Sequence, residues 1–403
     1  MKDLVESVVK NDNCVGCGLC SNLFGNCYGM QLSEKGFYRP QKLKENKEEN
    51  LNEEFKKLCP GIIRRQILPN DENISIWGKY ERMLTTFSSD EDIRYKAATG
   101  GSLTATLLYL LNSKIVDGVL QVKANKKQAY IAQYDISTTK EEIIECLGSR
   151  YEPCFMFAKL NAIKSFEGKL AVVGKPCDIA TLRRYAEQYN LNDKIYCYIT
   201  FLCGGTPSIN ATLDILNENG IKKDEITDLK YRGEGWPGYF KANSGKDELI
   251  KVSYVDSWAR KLSKKIQNAC KICTDGIGEM ADIVFGDAWN LDENGKINFE
   301  ESDGVNITIT RNKLGNEIID NAIKNKYLTV KNEVLEEDIL NKMQPFQAMH
   351  RKMVYYKILG KQITLKKVPY YSKKVFKRYS KNENIVKKIK TILSSAKREL
   401  KGE

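Results

Sequence analysis

The hydrophobic pattern changes at about Ile93, where apolar runs of strand length begin to alternate with runs of helical period. The predicted helices cover residues 102–112, 178 to about 188, and a segment that ends near 217, and the predicted strands are 115–122, 170–173, 195–202 and one within 281–289. Strands that alternate with helices are typical of a sheet covered by helices. We therefore predict an α/β fold, α+β overall.

The two ends of the chain differ from this central pattern. Residues 1–75 are rich in cysteine and turn signals, and a Lys- and Glu-rich segment at 42–57 is interpreted as a solvated connector or helix. Near the C-terminus an apolar face of a helix is predicted from Ile385, Ile389, Ile392 or Leu393, Ala396 and Leu400. We predict four parts, namely 1–75, 76–165, 166–345 and a basic, partly helical tail at 346–403.

The amino-acid composition limits the kinds of functional site that the chain can form. The chain has 403 residues with twelve cysteines and one histidine, His350. Its first residues carry both charges and no apolar segment of a secretory signal, so we expect a cytoplasmic protein with metal-bound or redox-active cysteines instead of disulfides. A single histidine argues against Ser-His, Cys-His and His-rich metal sites. The longest apolar stretch, 103–111, is about half the length of a membrane-spanning helix.

The positive charge is concentrated in the tail. Residues 351–403 contain seventeen Lys or Arg against three Glu, and the rest of the chain is close to neutral. We expect either a C-terminal helix that packs on the body with a solvated lysine face, or contact with an anionic membrane surface or acidic partner, which would place the protein peripherally at the inner membrane face. The lysines lack the aromatic pattern of a nucleic-acid module, so we predict no nucleic-acid binding.

Three closely spaced cysteines form the strongest motif. Cys14, Cys17 and Cys20 follow one another at two-residue intervals, with glycines between them that let the backbone curl around a metal cluster. The fourth ligand is predicted to be Cys59, which precedes a proline, with Cys27 as the alternative. We predict a [4Fe–4S] cluster here, and a zinc site as the alternative.

A second group of cysteines is predicted at the ligand-binding edge of the sheet. Cys177 and Cys203 each lie where a predicted strand ends and a helix begins, and Cys270 and Cys273 form a Cys-x-x-Cys pair. These four residues are the predicted ligands of a second [4Fe–4S] cluster, with structural zinc or unligated thiols as alternatives. Asp287 ends another predicted strand and is either a site residue or a cap.

Several motifs in this region resemble one family. The segments 174–180 (GKPCDIA), 231–238 (YRGEGWPG) and 270–289 are similar to elements of the coenzyme F420 (deazaflavin) hydrogenase/dehydrogenase beta subunit family, and the resemblance runs from about 14 to 347. It implies a ferredoxin-like iron–sulfur module at 1–75, a mixed α/β flavin domain, bound FAD and one or two [4Fe–4S] clusters. Phe24 stands where fuller members have a fourth cysteine, which indicates a branch with a reduced N-terminal module.

The resemblance also implies roles for individual residues. The implied cofactor-binding residues are Thr99, Gly100, Gly101 and Ser102, which resemble the family's flavin-phosphate loop, together with Arg150, Gly174, Lys175, Pro176, Arg232 and Gly233. Independently of the resemblance, a chain with one histidine needs another proton source, so Cys154 and Asp287 are the predicted catalytic, proton-donating side chains, with water as the alternative.

The implied function is that of an oxidoreductase. It would pass electrons between a ferredoxin-like one-electron donor and a two-electron acceptor, either deazaflavin or a small organic substrate, and bacterial relatives of this branch accompany surface-polysaccharide synthesis. The alternatives are a non-catalytic electron-transfer subunit of a hydrogenase or dehydrogenase complex and a zinc-binding structural protein.

Overall fold

The computed structural model describes residues 3–44, 49–64 and 75–402. Its helices are α1 (Leu4–Lys10), α2 (Leu19–Leu23), α3 (Glu49–Leu58), α4 (Glu91–Lys96), α5 (Ser102–Asn112), α6 (Lys140–Ile144), α7 (Leu160–Ser165), α8 (Pro176–Gln188), α9 (Ile209–Glu218), α10 (Asn268–Lys271), α11 (Lys313–Lys324), α12 (Glu337–Met343), α13 (Pro345–Ile363), α14 (Lys373–Tyr379) and α15 (Ile385–Lys401). The strands are β1 (Tyr28–Leu32), β2 (Tyr38–Lys42), β3 (Arg82–Ser88), β4 (Gly118–Ala124), β5 (Ala132–Ser137), β6 (Leu170–Val173), β7 (Ile195–Phe201), β8 (Asp228–Lys230), β9 (Tyr239–Ser244), β10 (Asp247–Ser253), β11 (Ile283–Asp287), β12 (Asn306–Thr310) and β13 (Leu328–Asn332).

An eight-stranded mixed sheet organises the body, in the order β13-β3-β12-β11-β7-β6-β4-β5. The four central strands β4, β6, β7 and β11 are parallel, and antiparallel strands complete both edges. The predicted α/β class is therefore confirmed. The strand predicted at 115–122 begins three residues later, because the backbone N–H of Ile115 still bonds to Leu110 of α5, at 3.0 Å.

Alternation along the central strands divides the core between the two faces of the sheet. In β6, Leu170 and Val172 belong to the core on one face, and Ala171 and Val173 belong to the core on the other. This period of two is what a strand covered on both faces requires. Helices α5 and α11 cover the second face, which leaves the first face for α8 and the N-terminal module.

Two smaller units flank the large sheet. Strands β1 and β2 form an antiparallel hairpin in the N-terminal module, and β10-β9-β8 form a three-stranded antiparallel sheet. Helix α9 packs on the latter through Ile215 and Leu216, which share a core with Phe240.

The C-terminal helices are attached to the body by buried polar contacts. Arg351 of α13 is 1% exposed, pairs with Glu279 at 2.8 Å and donates to the carbonyl of Ile76 at 2.9 Å. Helix α15 then packs back along α13, where the Ser395 hydroxyl donates to the carbonyl of Lys357 at 2.7 Å. The helix predicted near the C-terminus is therefore present. Over the described ranges, no helix combines the length and the apolar character that crossing a bilayer requires.

Candidate functional site

Cys14, Cys17, Cys20 and Cys59 line one cavity. Its remaining walls are apolar: they come from α1, α3 and the β1–β2 hairpin. The structure thus brings Cys59 to the three closely spaced cysteines. Cys27, the alternative ligand, is not among the described residues that line this cavity.

Glycines set the path of the cysteine loop. Gly16 and Gly18 adopt φ values of +73° and +84°, in the left-handed region that glycine enters without strain. A Cβ at Gly16 would lie 2.9 Å from the carbonyl oxygen of Tyr38. The loop therefore passes close against β2 only because Gly16 lacks a side chain. Cys59 directly follows α3, and its N–H donates to the carbonyl of Phe55 at 2.8 Å.

Cys177, Cys203, Cys270 and Cys273 line a second cavity. Cys177 lies in the first turn of α8 after β6, and Cys203 follows β7, so the carboxyl ends of two adjacent parallel strands supply both residues. This is the edge at which α/β sheets bind ligands. The backbone N–H of Gly205 lies 3.4 Å from the Cys203 sulfur and donates to it.

His350 lies at the wall of this second cavity. Its Nε2 is 2.8 Å from the carbonyl oxygen of Cys273, and its Nδ1 is 2.9 Å from Nζ of Lys357. Burial, together with the Lys357 ammonium, lowers the pKa of His350 to about 3, so the imidazole is neutral. A neutral ring that accepts from Lys357 donates through Nε2, and this bond holds the Cys270–Cys273 loop.

The thiols in each cavity are close enough to perturb one another. Burial, followed by the charge of Cys59, raises the pKa of Cys17 well above its usual value. In the second cavity, burial and then Cys270 raise the pKa of Cys203 to about 12. Because four buried thiolates repel one another, the set fits a bound cation or metal cluster that stabilises the thiolate form.

The four cysteines of each set lie in the walls of one cavity. Within the described part of the chain, no three His, Cys, Asp or Glu side chains are spaced to hold a single metal ion. A zinc ion draws its thiolates to about 2.3 Å from one centre. A [4Fe–4S] cubane carries one iron for each of four thiolates, so its ligands stand around a larger body. The four-thiol cavities fit that donor arrangement.

Val15 lines both cavities. It is 7% exposed and lies directly after Cys14. Val15 therefore lies between the two groups of cysteines and forms part of the wall of each cavity. The carbonyl of Cys17 also accepts the N–H of Phe157 at 3.1 Å, and this bond joins the cysteine loop to the segment that precedes α7.

A buried polar cluster lies beside both cavities. Nζ of Lys175, a residue of the second cavity, is 2.5 Å from Oδ2 of Asp178 and 3.8 Å from the sulfur of Cys154. The Tyr134 hydroxyl donates to the same Asp178 oxygen at 2.9 Å. Burial raises the pKa of Cys154 to about 11, against the lowering effect of Lys175. Cys154 is therefore a neutral thiol at pH 7, and its role as a proton donor stays a prediction.

Asp287 is the centre of a second polar cluster. Its carboxylate accepts from Nη1 of Arg232 at 2.9 Å and from the Thr99 hydroxyl at 2.5 Å. Arg232 is 3% exposed, and among residues 3–44, 49–64 and 75–402 its Nη2 meets no acceptor within 3.5 Å, while the Tyr151 hydroxyl also lies close to its side chain. Trp289 and Tyr254 lie beside the guanidinium, with ring centroids 5.3 and 4.8 Å from it. Arg232 thus retains a donor for an anionic group within an aromatic surrounding.

The predicted phosphate loop is buried and used by the fold. Ser102 donates its N–H to Oδ1 of Asn306 at 3.0 Å, and its hydroxyl lies 2.8 Å from that of Thr86. Gly100 lies where a Cβ would be 2.9 Å from Asn306, and Gly101 has φ +74° at the start of α5. The loop is thus fixed against β12, and its role towards phosphate stays a prediction.

The remaining predicted cofactor residues also have internal partners. Arg150 donates to the carbonyls of Ala129 and Leu229, both at 2.5 Å, and pairs with buried Glu152. Gly174, Pro176 and Gly233 are turn residues: Gly174 accepts from Thr200 at 2.7 Å, Pro176 begins α8, and Gly233 has φ +116° against the carbonyl of Lys96. Their contact with a cofactor stays a prediction.

Comparison with known proteins decides the family. The model for the coenzyme F420 hydrogenase/dehydrogenase beta subunit N-terminus matches residues 83–161, and the model for its C terminus matches residues 167–336. Together they cover more than half of the chain. The chain belongs to the coenzyme F420 hydrogenase/dehydrogenase beta subunit family. The resemblance seen in the sequence motifs is confirmed.

Curated members of the family align over much of the chain. The F420-dependent formate dehydrogenase subunit beta of Methanocaldococcus jannaschii is 26% identical, over 66% of this chain and 69% of that protein. The coenzyme F420 hydrogenase subunit beta of Methanosarcina barkeri is 25% identical, over 72% of this chain and 92% of that protein. A chain of the solved F420-reducing [NiFe] hydrogenase complex from M. barkeri shares the fold, with TM-score 0.51 and 23% identity over 71% of this chain and 96% of that chain.

Some features of this family member were not found from its sequence. The Tyr134–Asp178 bond joins a strand residue to a helix residue 44 positions later, and no local signal indicates it. No local signal distinguishes Val15 from the other residues of the cysteine loop. Of the aromatic residues around Arg232, Trp289 could have been anticipated from the sequence, because it lies two positions after the predicted site residue Asp287.

Proposed function

We propose that this family member is an iron–sulfur flavoprotein oxidoreductase that passes electrons between a one-electron carrier and an organic two-electron acceptor. The observation that carries the proposal is the grouping of eight cysteines into two cavities of four, with Val15 in the wall of both. Bound [4Fe–4S] clusters would supply one-electron transfer, and FAD would exchange single electrons for pairs.

The proposed ligands are the residues of the two cavities. Cys14, Cys17, Cys20 and Cys59 would hold the first cluster, and Cys177, Cys203, Cys270 and Cys273 the second. Redox relatives support this assignment, since the curated members named above are subunits of F420-linked hydrogenase and formate dehydrogenase.

Arg232 is the proposed contact for an anionic group of FAD. Its buried Nη2 would donate to that group, while the bond to Asp287 keeps the guanidinium oriented. Thr99 adds a hydroxyl to the same carboxylate. The flanking loops 99–102, 174–176 and 232–233, with Arg150, are proposed to shape the cofactor site.

Cys154 and Asp287 are proposed to donate a proton and to hydrogen-bond with the substrate, respectively. Cys154 keeps its proton at neutral pH and lies 3.8 Å from the Lys175 ammonium, so it is placed to donate within a buried polar cluster. Asp287 is held by Arg232 and Thr99 and is proposed as a partner for substrate hydrogen bonds.

The physiological partners follow from this proposal. A ferredoxin-like protein would be the electron donor, and deazaflavin or a small biosynthetic substrate, such as a surface-polysaccharide precursor, would be the acceptor. We place this activity in the cytoplasm. The second candidate, a subunit without its own substrate, is favoured by the complexes in which the named relatives occur.

The first experiment is an anaerobic absorption spectrum with iron, sulfide, zinc and flavin analysis. About eight irons per chain with flavin bands are expected. Cys17→Ser and Cys177→Ser should each lose about four irons, whereas Cys27→Ser, outside both cavities, should lose none.

Zinc without iron or flavin would overturn the proposal in favour of a structural protein. Turnover of reduced carrier and acceptor by the isolated chain would support an enzyme. Activity that appears only after addition of a hydrogenase or dehydrogenase subunit would support the electron-transfer subunit instead.

A further inference from the structure

The outer face of α15 carries a row of large, exposed apolar side chains. Ile385, Ile389 and Leu393 follow at intervals of four and are 65%, 50% and 63% exposed, and Leu400, seven positions further, is 78% exposed. With Val386, which is 53% exposed, they occupy one side of the helix. We call these five residues the α15 stripe.

Contacts with α13 fix the direction of the α15 stripe. A Cβ at Gly360 of α13 would lie 2.4 Å from the carbonyl of Ile392 and 2.6 Å from the side chain of Ser395. Ser395 also donates to Lys357. Because α13 occupies this side of α15, the stripe is left exposed beside it.

A second apolar patch lies near the end of the stripe. Leu365 and Ile363, at the end of α13, are 94% and 64% exposed. Glu399 of α15 pairs with Lys361 at 3.6 Å and with Lys366 at 3.1 Å, so this end of α13 lies beside Leu400. The C-terminal ends of both helices thus carry exposed apolar side chains.

The charges beside the stripe are positive. Lys390 and Lys397 are exposed and lie one position after Ile389 and four after Leu393. Of the acidic residues in the described tail, Glu383 is paired with Lys387 at 2.8 Å and Glu399 is buried in ion pairs. The surface therefore combines exposed apolar residues with cations and little exposed negative charge.

We propose that the α15 stripe and its lysines bind an anionic membrane surface, with α15 parallel to the bilayer plane. An apolar face flanked by lysines matches the boundary between acyl chains and anionic headgroups. A second copy of the same face would oppose lysine with lysine, so charge complementarity favours lipid over self-association. This proposal concerns location and is independent of the redox chemistry proposed above.

The test uses the full-length protein, kept anaerobic, in flotation with phosphatidylcholine vesicles that contain or lack phosphatidylglycerol. Binding is expected only with the anionic lipid and should weaken as salt rises. Lys390→Gln/Lys397→Gln should lower partitioning about 30-fold, from the usual contribution of each lysine near such a surface. The matched control is Lys126→Gln/Lys127→Gln, which removes the same charge from exposed lysines of the body.

The contribution of the apolar side chains of the α15 stripe to vesicle binding is tested with one substitution. Leu393→Ser should lower partitioning by about tenfold or more, since the leucine side chain would leave the acyl boundary. Val334→Ser, at a residue that is 75% exposed on the body, should change nothing.

Three results would overturn the proposal: no vesicle binding by the wild type, equal binding to neutral and anionic vesicles, or a dimer that Leu393→Ser converts to a monomer in sedimentation velocity. Iron per chain is measured for every variant. Unchanged iron in a variant that no longer floats separates loss of membrane binding from loss of fold or cofactor.

Discussion

Lys361 should make stability depend on alkaline pH. Its side chain is fully buried in α13, with Nζ 3.6 Å from Glu399 and 3.4 Å from the carbonyl of Asp12. Burial lowers the pKa of this lysine to about 8; the Glu399 and Asp12 carboxylates oppose that shift, and Lys366 and Arg64 add to it. In the unfolded chain the pKa returns to about 10.5.

The direction and size of the pH effect on the free energy of unfolding follow from the difference between the folded and unfolded pKa values of Lys361. Below pH 8 both states carry the proton, and charging the buried amine disfavours the folded state by about 3 kcal/mol, at about 1.4 kcal/mol per pKa unit. Between pH 8 and 10.5 the folded state releases the proton first, so the penalty disappears as pH rises. From about pH 7.5 to 9.5, about 2 kcal/mol of it should be relieved.

The assay compares urea unfolding of the wild type and Lys361→Met across that pH range, followed by tryptophan fluorescence. The free energy of unfolding of the wild type should rise by about 2 kcal/mol relative to the variant. Lys390→Met, a change of equal charge at an exposed position, should run parallel to the wild type. A constant difference between wild type and Lys361→Met would refute the reasoning, because the lysine would then titrate alike in both states.

Two further substitutions test the cysteine loop and the attachment of α13. Gly16→Ala should lower iron content and stability, since its Cβ would meet the Tyr38 carbonyl at 2.9 Å; Gly25→Ala, with φ +55° and open space around it, should retain its iron, and equal losses would count against the role of this close approach. Arg351→Met should lower the free energy of unfolding by about 3–5 kcal/mol, because the buried Glu279 carboxylate loses its partner. Adding Glu279→Gln should restore part of that loss, and a strictly additive double variant in urea unfolding would argue against the pair.

Much of the central fold was predictable from local pattern. Residues 102–112 and 170–173 form the predicted helix and strand with unchanged bounds, because apolar periodicity and flanking glycines act over neighbouring residues. The grouping of Cys177 with Cys203 was also predictable, since adjacent parallel strands end at one edge of the sheet. The pairing of β3 with β12 and β13 was not, because it joins segments more than 200 positions apart.

Some features of the candidate site were likewise predictable from the sequence, and others depend on tertiary packing. Residue types and spacing indicated iron–sulfur chemistry, and the motif around Cys177 indicated the family. The sequence did not show that Val15 lies in the wall of both cavities, because that position depends on how the N-terminal module packs on the sheet. Nor did it show that Lys175, Asp178 and Tyr134 form one cluster.

The C-terminal helix shows most clearly where sequence information ends. Periodicity alone determined that 385–400 forms an amphipathic helix, since i and i+4 positions share a face in any helix. Whether that face is buried depends on which side of α15 its neighbour occupies. Helix α13 packs against the side of Ile392 and Ser395, where Gly360 allows close approach, and so the apolar stripe faces solvent.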